Sequence, residues 1–516
     1  MLASPNPVAT TAVPKPVRSP LDPSQIQYTS KRQQLAVAEI VDQLTLDAST
    51  LKGIKDHFVQ EMKKGLAKDG QTIAMVPSYV LDRLSGAETG SYLTLDVGGT
   101  YLRVVSVNLL GHGQVLSQHK KYKIDEELKT SEAKLLFDYM ATCVDSFMDE
   151  HAIVVPLETE LELGFTFSFP VKQTGINSGT LIAWTKGFSC PHMVGKDPAA
   201  FLQDAFHRKN IPVRVAALLN DTVGTLLAYE YHHRSTVIGL GLGTGCNGAY
   251  LERVNRIPKW KKDLSDPKTE EVIINMEFGA FDSERKVLPV TMFDNKVDRK
   301  SMNQGKQIFE KMIAGMYLGE ITRNVLLHLA DRRLLFGDGS VQWEMNRVWA
   351  LDTAYMSTVE ADSSPSLKAT QMVLESTLGY GSELVACQER VDGSLGTTLV
   401  DRQIVKLVVQ LVGQRAARLG AAALAGILEH TMGVTWREDT GATIGVDGSL
   451  YRYYPSFGSD ILDGLDEVFG LEAKMKGLCR GGLGEGKIRM GLNTEGGGAG
   501  AALCALLAGR QREMEM

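Results

Sequence analysis

Three short segments, LDVGGT (95–100), LGLGTG (240–245) and GVDGS (445–449), share one design: an apolar run ends in a glycine-rich turn carrying Thr or Ser. Glycine admits positive φ and lets the backbone approach a ligand closely, so successive N–H groups can converge on an anion, and a hydroxyl adds one more donor. Any one of these turns alone reads as an ordinary hairpin turn. Three alike, two of them with an Asp, point instead to a cradle for a polyphosphate. Two better-known nucleotide motifs fail. Gly243, Gly245 and Gly248 satisfy GxGxxG, but Ala249, Tyr250 and Leu251 continue as a strand where that fingerprint needs a helix. Gly481, Gly486 and Lys487 satisfy GxxxxGK, but Ile488 stands where a Ser or Thr would hold Mg²⁺, and the preceding KMKGLCR is no apolar strand.

Polar residues near the second turn have the types needed to grip hydroxyl groups and remove a proton from one of them. Asp221, in Asn220-Asp221-Thr222, follows the apolar strand VRVAALL; on spacing alone it reads more readily as a helix N-cap. Glu277 lies inside the apolar run INMEFGAF, where an unpaired charge is expensive, so a partner or ligand is implied. Glu310 in GKQIFEKM sits on a helical stretch and is either exposed or a further acid of the site. Lys186 in AWTKGF, beside an aromatic and a glycine, suits a surface turn or a phosphate contact.

The elements that must position these groups alternate between strand and helix. From Ser30 to Leu84 the pattern is helical, with Ile40, Val41, Leu44 and then Leu51, Ile54, Phe58, Met62 at three- and four-residue spacing. Residues 91–111 form a hairpin signal, and strand character returns at 161–171 and 213–220, the latter after a helix around 199–209. Residues 236–252 and 442–455 each read as strand, Gly-rich turn and strand, and helices are expected at 305–331 and 401–432.

At 516 residues, 44% hydrophobic and 22% charged, the chain has apolar material for a large core and more than one domain. A net charge of −6 without a dense Lys/Arg block argues against nucleic acid as a partner. Cys143, Cys190, Cys246, Cys387, Cys479 and Cys504 are far apart with no zinc-ligand spacing, so free thiols in a reducing cytoplasm are expected. Cys246, beside the second turn, is expected to be a packed thiol. The longest apolar stretches, such as 419–428 and 501–508, fall short of the roughly 18 residues that span a bilayer, so no membrane insertion is expected. The Pro-, Ser- and Ala-rich residues 1–25 are expected to be a disordered tail, since closely spaced prolines oppose the amphipathic helix of a transit peptide.

In order along the chain, LTLDVGGTYLRV, LGFTFSFPV, LIAWTKGF, LLNDTVGT, GLGTGCNGAY, NMEFGAFD, GKQIFEKMIAGMYLGE and GVDGSLYRYYPSF resemble the successive blocks of hexokinases, from about residue 75 onward. Within that family INMEFGAFDSERKVLP, KNIPV, LVGQRAARLG and the GAGAAL ending are most similar to fungal glucokinases. The resemblance implies an α/β actin-like ATPase fold with two lobes and a sugar/ATP cleft. It implies a helical segment over 26–90, a small domain over 91–220 and a large domain over 221–510, with the C-terminal helix returning to the small one. It makes Asp221 the catalytic base, aided by Lys186, and gives the sugar to Ser168, Phe169, Thr185, Lys186, Asn220, Asp221, Asn247, Glu277 and Glu310. ATP falls to Asp96, Gly98, Gly99, Thr100, Tyr101, Arg103, Thr244, Thr377, Gly448 and Ser449, with Mg²⁺ carried on its phosphates and Asp96 reaching the ion through water.

The implied reaction is phosphorylation of glucose, and of mannose, at the 6-hydroxyl as the first step of glycolysis, by a cytoplasmic monomer or homodimer. Two alternatives stay open: a kinase for another hexose or N-acetylglucosamine, and a glucose sensor without turnover. The chain departs from the family pattern at Tyr101, where Asn is usual, at Met276 and Phe278 around Glu277, and at Gly497, where Ser is usual.

Overall fold

Alternation of apolar and polar residues builds most of the sheet structure. The computed structural model describes residues 21–260, 270–337, 343–379, 396–436, 441–475, 487–494 and 496–515. Its strands are β1 (Val76–Pro77), β2 (Thr89–Val97), β3 (Tyr101–Gly111), β4 (Gln114–Lys123), β5 (Leu161–Phe167), β6 (Val171–Gly175), β7 (Ser178–Leu181), β8 (Val213–Leu219), β9 (Thr236–Leu242), β10 (Cys246–Arg253), β11 (Glu271–Asn275), β12 (Ala442–Asp447) and β13 (Ile488–Leu492). They form a five-stranded sheet, β4-β3-β2-β5-β8, a six-stranded sheet, β1-β11-β10-β9-β12-β13, and the hairpin β6-β7. Each large sheet is mixed: β2/β3 and β9/β10 are antiparallel hairpins, whereas β5 runs parallel to β2 and β12 parallel to β9.

The described residues fall into two compact units. One takes in the described part of Met1–Thr45 with Gly319–Gln414 and Tyr453–Asp460; the other comprises Leu46–Leu318, Arg415–Arg452 and Ile461–Met516 and holds both sheets. Within the first, Ser30 caps helix Lys31–Leu44 by accepting the Gln33 N–H at 3.1 Å, and the Gln33 amide donates to the Leu334 carbonyl at 2.7 Å. The buried pair Glu320 and Arg323 anchors this unit's interior at 2.5–2.7 Å.

In the second unit the five-stranded sheet is covered on both faces, as two-sided burial of its central strands requires. Leu93, Leu95, Val97 and Phe165 pack with Phe137 and Phe147 of helix Ala133–Glu150 and Phe206 of helix Pro198–Arg208. Val105, Val107 and Leu219 pack with Ala501, Leu503 and Leu507 of helix Gly496–Glu515. That helix also meets helix Asp221–His232, which in turn lies on β9, β10 and β12 of the six-stranded sheet. The two helices touch backbone to backbone, because a Cβ on Gly500 would overlap the Gly224 carbonyl.

Three expectations are corrected. The helical pattern ends at Ala67, and residues 68–84 are loop around β1, tied by Met75 N–H to the Met276 carbonyl at 3.0 Å and Ser78 N–H to Ile273 at 2.9 Å. After β12 the chain turns into helix Ser449–Tyr453 rather than a strand, since Leu450, Tyr451 and Tyr454 are the buried positions and their spacing is helical. Asn220, not Asp221, caps the helix that follows β8. Residues 1–20 of the expected tail lie outside the described residues, as do Gly481, Gly486, Cys387 and Cys479; from Leu21 the chain is placed, with a 3-10 turn over Pro23–Gln25. No described helix is long and apolar enough to cross a membrane.

Candidate active site

Backbone turns at strand ends supply the first part of the site. Between β2 and β3 the Gly98 N–H donates to the Tyr101 carbonyl at 3.0 Å, and in the flanking ladder Asp96 lies opposite Arg103, whose guanidinium reaches its carboxylate at 3.0 Å. Thr100 is exposed and Tyr101 is 51% exposed, so the phenol projects from this turn. Between β9 and β10 the Gly243 N–H donates to the Gly245 carbonyl at 3.0 Å, while the Gly243 and Thr244 carbonyls accept from Gly315 at 2.8 Å and Met316 at 3.2 Å. The third turn packs directly on the second. Gly448 has φ +119°, a Cβ there would overlap the Leu242 carbonyl, and a Cβ on Gly243 would lie 3.4 Å from the Ser449 nitrogen. Close approach of two backbones, with room for no side chain between them, is what a phosphate cradle demands.

The helix that begins at Asp221 supplies the second part. The Asn220 side chain accepts the Thr222 N–H at 2.9 Å and its hydroxyl at 2.7 Å, and Asp221 also accepts the Thr222 N–H at 2.9 Å. Asn247, on β10, donates to Asn220 at 3.2 Å and to Asn275 at 2.8 Å. Its own oxygen accepts the Glu277 N–H at 3.0 Å, and Asn275 donates to the Glu277 carboxylate at 2.9 Å. Glu310, on helix Ile308–Ile313, accepts the Cys246 N–H at 3.0 Å, and a Cβ on Gly245 would come 2.8 Å from its carboxylate. Asp221, Asn220, Asn247, Glu277 and Glu310 therefore converge beside the second turn.

Lys186 closes the arrangement from the loop after β7. It has left-handed backbone, φ +56°, as does Glu277 at φ +57°, a conformation that costs about 1 to 3 kcal/mol for a non-glycine residue. Its ammonium donates to the Ser168 carbonyl at 2.7 Å and lies 5.4 Å from the centre of the Phe169 ring. That ring is buried among Phe167, Trp184 and Phe188, so Phe169 acts as a wall beneath the cation. Thr185 is exposed beside it. A Cβ on Gly99 would be 3.4 Å from the Lys186 Cβ, which places the first turn against this lysine.

The charges of this cluster act on one another. Asp221 is reached by solvent, yet the protein around it strips much of its hydration; that raises its carboxyl above the usual aspartate value, with Lys186 opposing and Asp96 and Asp447 reinforcing. Burial pushes Glu277 up to about 7, opposed by the Asn275 hydrogen bond and Lys186 and assisted by Asp221 and Glu310. Glu310 is raised as well, first by burial and against the pull of the Cys246 N–H and Lys186. Cys246 is a buried free thiol pushed well up by burial and by these two glutamates, which makes it an inert packed group.

Thr377 ends the π-helical turn Val373–Thr377 in the other unit. Met276 and Phe278 are buried, and Gly497 is the second residue of helix Gly496–Glu515 with open space where a Cβ would stand. Sequence reasoning missed Thr222, Asn275 and Asp447. Asn275 precedes Glu277 by two positions at the end of a strand, a spacing that puts alternate residues on one face and could have marked it. A cavity of about 650 Å³ lined by Tyr229, His232, His233, Arg234, Arg489 and neighbours lies at the other end of the Asp221 helix and contains none of these site residues.

Glycine-rich turns at strand ends of two mixed α/β sheets, set beside a carboxylate and amide cluster, define a kinase-type site. Residues 36–231 and 237–507 match the two sequence families described as hexokinase. A glucokinase of Aspergillus niger is 38% identical over 506 residues, covering 92% of this chain and 97% of its own. The hexokinase of Schwanniomyces occidentalis is 36% identical over 473 residues, covering 91% and 92%. Among solved structures, a hexokinase from Schistosoma mansoni complexed with glucose superposes with a TM-score of 0.77 at 32% identity, over 92% of this chain and 99% of its own. The chain belongs to the hexokinase family. It is a sugar kinase with the two-lobed hexokinase fold.

Proposed function

We propose that the chain transfers the γ-phosphoryl group of ATP to the 6-hydroxyl of glucose, and of mannose, with Asp221 as the base, in the cytoplasm and as the first step of glycolysis. The observation that carries this reading is the seat of Lys186. It lies against Gly99 of the first turn and acts electrostatically on Asp221, Glu277 and Glu310, so one cation joins the phosphate cradle to the hydroxyl-gripping cluster. The S. mansoni relative, solved with glucose, supports the sugar. The lobes are assigned to 91–220 and 221–510, and their closure would exclude water that could otherwise accept the phosphoryl group.

In this mechanism Asn220, Asn247, Glu277 and Glu310 hold the sugar hydroxyls, joined by Ser168, Phe169, Thr185 and Lys186. Asp221 takes the proton of the attacking hydroxyl; its raised carboxyl makes it a better base than an ordinary aspartate. Backbone N–H groups of Gly98, Gly99 and Thr244, with Thr100, Gly448 and Ser449, cradle the phosphates, and Lys186 offsets developing charge. Asp96, beside Arg103, reaches the Mg²⁺ carried by ATP through water, and Tyr101 and Thr377 complete the nucleotide contacts. The cradle fits a polyphosphate because the second and third turns leave no room for a side chain between them.

The test is coupled ADP release across glucose, mannose, fructose and N-acetylglucosamine. Turnover of glucose and mannose with poor use of fructose is expected. Glucose binding with no ADP above background would overturn the reading in favour of a sensor, and a strong preference for another sugar would reassign the substrate.

A further inference from the structure

Asn275 is absent from the sugar contacts assigned above, yet it is 6% exposed and forms the middle of a polar chain that ends on Glu277. Its orientation is dictated link by link. The Asn247 side-chain oxygen accepts two backbone N–H groups, from Gly248 at 2.7 Å and Glu277 at 3.0 Å, so the other end of that amide must be the donor. That donor meets the Asn275 oxygen at 2.8 Å. The Asn275 NH₂ is thereby left facing the Glu277 carboxylate at 2.9 Å, and it can only donate. Backbone geometry of β10 thus selects, through two amides, which form of Glu277 the site accepts: an ionised acceptor.

We propose that Asn275 is a positioning residue of the sugar site, holding Glu277 ionised and turned toward bound sugar by an amide relay from Asn247. The proposal rests on the sugar-kinase reading of the same cluster. The charged or titratable groups facing Glu277 are Asp221 from its helix, Glu310 from helix Ile308–Ile313, Lys186 from the loop after β7 and the Cys246 thiol of β10. Two of these are carboxylates that favour the protonated form, so removing the Asn275 donor leaves Lys186 to oppose them.

The experiment is glucose calorimetry across about pH 6 to 8.5 on the parent chain, Asn275→Ala, Asn275→Asp and Asn275→Ser, with the ADP assay and ATP KM alongside. Asn275→Ala is expected to weaken glucose at least about tenfold at pH 7 and to move the acid limb of binding upward by about half a pH unit or more, with ATP KM within about twofold. Asn275→Asp should move that limb further, since it adds a carboxylate. Asn275→Ser, which keeps a small donor, should recover part of the loss and also serves if Asn275→Ala does not fold. An unmoved limb with glucose affinity within about twofold in the Asp and Ser variants overturns the proposal. So does a joint loss of glucose and ATP affinity with no pH shift, which is the mark of packing alone. Because calorimetry needs no turnover, a parent chain that binds glucose without releasing ADP would overturn the kinase reading and leave this test intact.

Discussion

Glu277 and Asp294 are both acids enclosed by protein, and they are treated in opposite ways. Burial pushes Asp294 up, but Arg415, which grips both of its oxygens at 2.6 and 2.9 Å, and Thr291 outweigh this and hold it below the ordinary aspartate value. Thr291 adds its N–H at 2.7 Å and hydroxyl at 2.6 Å as the capping box of helix Met292–Lys300. Glu277 has amides instead of a guanidinium, and burial leaves it near 7. One carboxylate is saturated by the fold; the other is held short of saturation, so that a ligand can complete it. The same contrast separates a structural acid from one placed for chemistry.

That contrast is most directly broken at Asp221, whose replacement by Ala should lower kcat by about 10⁴-fold with an unchanged thermal midpoint; near-normal turnover removes it from the role of base. Arg415→Ala should cost about 3 to 5 kcal/mol of unfolding free energy in a denaturant titration, since it strands a buried charge, while the folded fraction keeps its sugar KM. A loss under about 1 kcal/mol would mean that Asp294 is no better satisfied than Glu277.

Glu277→Gln should raise the glucose Kd by an amount on the order of 1.5 to 3 kcal/mol while raising the thermal midpoint at pH 8. The sign follows from linkage: a glutamate raised on folding binds its proton more tightly in the folded state, so stability falls as pH climbs from the ordinary glutamate range through about 7. Asp294 is the reverse case, contributing stability above the ordinary aspartate range that disappears as pH falls through its lowered value. Glucose affinity of the parent chain should therefore fall progressively below about pH 7, with the change traced to Glu277 by its absence in Glu277→Gln. The smallest effect is expected at Tyr101→Asn, where an exposed phenol beside the first turn should shift ATP KM by no more than about fivefold.

How much of this was legible in the sequence depended on whether a feature is local. The first two turns are hairpins whose glycines and flanking apolar runs are read along the chain, and Asp221 lies at the strand-to-helix junction where its neighbours put it. The third turn was misread, because Leu450-Tyr451 continues an apolar run whose burial only the tertiary structure decides. The capping role went to Asn220 for a similar reason: two adjacent candidates differ only in which side chain meets the Thr222 N–H and hydroxyl. Asn275 stayed hidden because its partner Asn247 is brought beside it by the β10/β11 ladder, which pairs Ala249 with Asn275. The actin-like plan and the sugar contacts came from family resemblance, since spacing alone does not bring residues 186, 221, 277 and 310 together.

The backbone contact between helix Gly496–Glu515 and the Asp221 helix has a consequence for the order of synthesis. The helix bearing the base is made before the middle of the described chain, whereas the helix packed on it is the last described element to emerge. A nascent chain can form the hairpins of both sheets early but cannot seat Asp221 until that late helix arrives, so this long-range contact should be among the slowest to form.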